Sequence, residues 1–204
     1  MTEDPQRWSQ PFTALLGAYD AQLGYGIASI GGKDSMSGSF NEINVPPTLV
    51  SFAVDVAKEQ DIITPELKKA GNKLVTFRIV RDEYDLPVYE KVMELYGQVT
   101  SLIRTGAIVS CYAMDSYGIA AAVSKMAFGN RMGVQIDENL DAKALFANEI
   151  ANLIAEVPAD RLAEVLQTAG SSLIGSVTDD AVLRYREVAI SIEEAQKSWT
   201  SKLE

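Results

Sequence analysis

Residues 31–38 read Gly31-Gly32-Lys33-Asp34-Ser35-Met36-Ser37-Gly38, which concentrates glycines, one lysine, one carboxylate and two hydroxyls at the end of an apolar run. Phosphate chemistry would use all of these types. Glycines let backbone N–H groups approach an anion, Lys33 supplies a point charge, Ser35 and Ser37 donate hydrogen bonds, and Asp34 can hold a Mg²⁺ ion that screens the phosphates. The run is neither a Walker A sequence nor a dinucleotide fingerprint, so composition alone leaves an ordinary Gly/Ser loop as the alternative. Further on, Asp115 and Ser116 precede Gly118, where an apolar helical pattern begins. A carboxylate and a hydroxyl there suit the positive end of a helix, as caps or as groups that meet a nucleotide. Cys111 sits in an apolar run in a chain without histidine, so a small buried hydrophobe is favoured over a nucleophile.

Composition narrows the possible partners. The 204 residues correspond to about one and a half ordinary domains, and 47% hydrophobic residues place the chain among globular proteins rather than disordered ones. Eighteen Lys and Arg against 28 Asp and Glu give a net charge of −10 with no compensating basic patch, which argues against nucleic acid as a partner. The absence of histidine removes the commonest general base and zinc ligand. A single cysteine allows no intramolecular disulfide, which makes a reducing cytoplasm the expected compartment. No apolar run approaches the ~18 residues of a membrane span, so no membrane partner is expected.

The elements that must position these residues follow from periodicity. A helix is predicted over 8–22, with Phe12, Leu15, Leu16 and Tyr19 on one buried face, and a short strand over 27–30 delivers the chain to the glycine loop. A second strand is predicted over 48–56, and a boundary at 57/58 separates this segment from the remainder. Beyond it the pattern predicts a strand over 73–80, a helix over 87–105 stopped by Gly106, and a strand over 107–112. A helix over 118–128, punctuated by Gly129-Asn130, and a strand over 132–136 come next. A helical turn over 141–146, a strand over 150–157 and a helix over 159–169 lead to a hairpin of 173–177 with 182–188 about Thr178-Asp179-Asp180. A closing helix over 192–203 ends the pattern. Trp8 and Trp199 are expected to anchor the terminal helices. This mixture favours an α+β sandwich with helices covering a mixed sheet.

The segment Gly31-Gly32-Lys33-Asp34-Ser35-Met36-Ser37 resembles the GKDSMS segment of the phosphoribosylformylglycinamidine synthases of purine biosynthesis. The likeness continues through Ala14–Tyr19, Pro46–Phe52, Thr64–Leu67, Ser124–Asn130, Leu145-Phe146 and Trp199–Glu204. The large single-chain members carry two synthetase halves, each with an N-terminal and a C-terminal domain of the aminoimidazole-ribotide-synthase type, followed by a glutaminase. The resemblance implies that this chain is part of the second half. Residues 1–57 would be the final helix, loop and strand of its N-terminal domain, and residues 58–204 its C-terminal α/β sandwich. It also implies ATP and Mg²⁺ as cofactors of the whole ligase, with glutamine as the nitrogen source. The partners would be the rest of the same polypeptide, namely the first synthetase half and the glutaminase. The chain alone is then not expected to be active, and the unpaired edge of its partial first domain would lead to self-association or to a loosely packed first segment.

Taken together, the residue types and the resemblance make Gly31, Gly32, Lys33, Asp34, Ser35, Ser37, Ser116 and Gly118 the candidates to bind phosphate, nucleotide or substrate, with Asp34 and Asp115 as metal candidates. One departure stands against the matches. Where many relatives read His-Asp-X-Ser-Asp-Gly-Gly, this chain has Tyr112-Ala113-Met114-Asp115-Ser116-Tyr117-Gly118, with only Gly118 in register. A non-catalytic scaffold with a degenerate nucleotide site is therefore the alternative. Asn148 stands where relatives carry a glutamate, and the neighbouring Glu149 is expected to be solvated. Related kinases and synthetases acting on thiamine phosphate or selenide carry acidic loops in place of Gly32-Lys33-Asp34 and rank last.

Overall fold

A computed structural model describes residues 5–33, 38–46 and 48–201, and the chain divides into two compact units, Met1–Ala57 and Lys58–Glu204. In the first unit, helix α1 spans Pro5–Tyr25 and tolerates Pro11 within it, at the loss of one backbone hydrogen bond. Gly26, at φ +65°, ends the helix. The Ile27 N–H reaches Gln22 O and the Gly26 N–H reaches Leu23 O, the paired closing bonds of a left-handed C-terminal turn. Strand β1 (Gly31–Lys33) pairs antiparallel with β4 (Val50–Phe52), and β2 (Gly38–Phe40) pairs with β3 (Ile43–Val45).

Three expectations for this unit need correction. The strand begins at Gly31 rather than covering 27–30, because the pairing with Val50–Phe52 starts with Ile30 N–H on Phe52 O and runs through the glycines. The predicted buried face of α1 is exposed, as is Trp8, because no described residue of this unit packs over it. The strand expected over 48–56 contracts to the three residues that find a partner.

The second unit is built on a seven-stranded mixed sheet. Its elements run β5 (Lys73–Phe77), α2 (Tyr89–Arg104), β6 (Ser110–Ala113), α3 (Gly118–Asn130), β7 (Gly133–Ile136) and β8 (Leu153–Val157). The short α4 (Leu162–Val165) follows, then β9 (Ser171–Thr178), β10 (Val182–Tyr185), β11 (Val188–Ser191) and α5 (Ile192–Thr200). The strand order is β11-β10-β7-β9-β5-β8-β6, and every neighbouring pair is antiparallel except β10 with β7. Alternation divides the buried side chains between the two faces. Leu74 and Ile154 join Ile119, Val123 and Met126 of α3 and Ile192 of α5 in one core cluster. Val75, Phe77, Ala155 and Val157 point the other way and are buried as well, as are Val92, Leu95 and Val99 of α2. The architecture is the expected α+β sandwich with a mixed sheet.

The expected hairpin of 173–177 with 182–188 does not form. Strand β7 lies between β9 and β10, and the hairpin is instead β10 with β11. Gly133 makes that insertion possible: a Cβ there would stand 2.3 Å from Thr178 Oγ1, 2.4 Å from Asp180 Oδ1 and 2.9 Å from Val182 O. Helix α3 runs through Gly129-Asn130 and is closed by Arg131, at φ +54°. The helix expected over 159–169 resolves into a 3₁₀ turn and the four residues of α4.

Candidate functional site

The glycine run opens as strand rather than loop. Gly31, Gly32 and Lys33 form β1, and a Cβ on Gly32 would lie 2.8 Å from Val50 O, so this glycine lets β4 approach closely. Asp34, Ser35 and Ser37, expected to complete a phosphate cradle with Asp34 as a metal candidate, lie outside the described residues.

In the second unit Asp115, Ser116 and Gly118 stand where β6 turns into α3. The turn is held from below: Asp115 O accepts the N–H groups of Gly118 (3.2 Å) and Glu149 (3.3 Å), while the Met114 N–H donates to Asn152 O (2.9 Å). The Asp115 carboxylate accepts the Tyr117 N–H (2.8 Å) through Oδ1 and the Lys125 ammonium (2.9 Å) through Oδ2. The helix cap is Tyr117 with no side-chain cap bond, so the capping expected of Asp115 and Ser116 falls one residue short. Ser116 is exposed. Gly118 has φ +74°, and its missing Cβ makes room for Ala147 O and Leu145 O.

Lys125, about two helical turns beyond Gly118, is the group that sequence reasoning passed over. Its Nζ also stands 5.7 Å from the centre of the Tyr112 ring. Its hydrogen bond to Asp115 holds that carboxyl below the ordinary carboxylate range, helped by the Tyr117 N–H. The same bond raises the Lys125 ammonium. A depressed acid stabilises the fold above its unfolded pKa and loses that stabilisation as pH falls. A raised base stabilises below its unfolded value and loses it as pH rises. The pair is therefore intact between about pH 4 and pH 10. Both side chains are partly exposed, so it is worth at most about 1 kcal/mol. Chemically, the pair cancels the charge that either group would offer a ligand.

An apolar cleft of about 650 Å³ lies beside α3, lined by Tyr117, Ala120, Ala121, Phe146, Val188 and Ile190 among others. Ser124 in its wall already donates to Ala120 O (2.8 Å), and Arg184 is paired with Asp180. The cleft thus offers shape and apolar surface, with these polar groups already engaged.

Glu149 is not solvated as expected. It is buried and accepts from Arg78 (3.3 Å) and from Asn152 Nδ2, because the segment after Leu145-Phe146 tucks under the end of β5. Burial pushes the Cys111 thiol up to about 11, consistent with an unreactive residue. Alkylation of Cys111 by iodoacetamide at pH 8 should run roughly a hundredfold slower than for free cysteine and accelerate as pH rises. A rate equal to that of free cysteine would contradict this environment.

The mixed seven-stranded sheet flanked by helices, with α3 entered directly from β6, is a fold that solved PurL structures share. The likeness is to PurL. Phosphoribosylformylglycinamidine synthase subunit PurL of Methanocaldococcus jannaschii is 24% identical over 234 aligned positions, covering 97% of this chain and 32% of that protein. The structure of T. maritima PurL complexed with AMPPCP matches with a TM-score of 0.56 at 12% identity, covering 72% of this chain and 28% of that one. T. maritima PurL complexed with FGAR matches with a TM-score of 0.56 at 10% identity, covering 72% and 30%. The chain thus spans about a third of the length of this curated relative. No family model matches the sequence. Among the described residues no helix is long and apolar enough to cross a membrane.

Proposed function

We propose that this chain supplies part of a cytoplasmic phosphoribosylformylglycinamidine synthase of purine biosynthesis, as a piece of its second synthetase half. In the whole ligase, ATP would activate the amide oxygen of formylglycinamide ribotide, and ammonia drawn from glutamine would displace the phosphate. Residues 1–57 would contribute the phosphate-facing loop after β1, and residues 58–204 a C-terminal synthase-type domain. The rest of the polypeptide, with the first synthetase half and the glutaminase, would supply what this chain lacks.

The observation that carries this reading is the sequence likeness to PurL across 97% of the chain, which includes the glycine run. Lys33 is the residue expected to supply charge to a bound phosphate, with the backbone N–H groups around Gly31 and Gly32 as donors. Magnesium is a different matter. Asp115 is committed to Lys125, and no group of three His, Cys, Asp or Glu is assembled among the described residues, so no step is derived through the ion.

A second reading, a scaffold half-domain with a degenerate nucleotide site, is favoured by the neutralised Asp115–Lys125 pair where many relatives carry an acidic motif. Calorimetric titration with formylglycinamide ribotide and with AMPPCP separates the two. Binding of a phosphorylated ligand that weakens roughly tenfold or more in Lys33→Ala, at unchanged melting temperature, supports the ligand-binding reading. Absence of binding by the wild-type chain, or a Lys33→Ala variant that loses stability but not affinity, would favour the scaffold. Turnover by the 204-residue chain alone would count against its being one part of a larger site.

A further inference from the structure

We draw no further inference here: the strongest candidate, the apolar cleft beside α3 that is lined in part by the edge strand β11, carries nothing because nothing in the structure shows what covers it.

Discussion

Gly118→Ala should destabilise the sheet-bearing unit by about 2–5 kcal/mol, lowering the urea midpoint with little change in the slope. Two costs combine. The residue has φ +74°, a conformation that costs an L-residue roughly 1–2 kcal/mol. The added Cβ would also stand 2.5 Å from Ala147 O and 2.8 Å from Leu145 O. Both obstacles are backbone, so relief requires moving the 142–146 turn, which seats the buried Leu145 against α3. Overpacking of this kind adds roughly 1–3 kcal/mol. Gly97→Ala serves as the matched control. Gly97 lies on the exposed side of α2 with nothing within 4 Å of its missing Cβ, so alanine there should stabilise by about 0.5–1 kcal/mol. A Gly118→Ala variant as stable as wild type would mean that the turn yields freely. The glycine would then be free to serve a ligand rather than the packing.

The contrast between these glycines shows what the sequence makes legible. Helix α2 can be read in advance because its signals are local: Val92, Leu95 and Val99 recur on one face, and Gly106 stops the chain at φ +72°. The β10–β11 hairpin cannot, because its competitor is a strand from about forty residues earlier, which lies between β9 and β10 where Gly133 has no Cβ to obstruct it. The exposure of α1 is equally hidden, since periodicity reports that a face is apolar and not what covers it. The candidate site divides in the same way. The strand-to-helix turn at Gly118 follows from residue types in order along the chain. The capture of Asp115 by Lys125 depends on three-dimensional closure across the first turns of α3. Glu149 and Glu156 look like surface carboxylates in a one-dimensional pattern. Only the fold shows that both are buried.

Glu156→Ala is expected to cost about 3–5 kcal/mol, the range for breaking a buried charged network by removing one member. Glu156 lies in β8 between β5 and β6, wholly buried. Its Oε2 accepts the Lys68 N–H (2.6 Å), and its Oε1 accepts the Lys69 N–H (2.9 Å) and Asn72 Nδ2 (2.7 Å). Three donors thus converge on one carboxylate, and alanine would leave all three without it. The segment so held also carries Leu67 into the core, where its N–H donates to Met126 O and its carbonyl accepts from Asn130. The damage should therefore spread from the 66–72 segment to the α3 side of the sheet. Glu156→Gln separates charge from shape: it fits the same space but turns an NH₂ donor toward N–H groups that need an acceptor, so it should recover only a minor part of the loss. Hydrogen exchange supplies the local reading. The Lys68 and Lys69 amides should lose protection in both variants before the β5 amides do. If Glu156→Gln instead matched wild type in stability and in protection at Lys68 and Lys69, the carboxylate would be filling space rather than organising the loop.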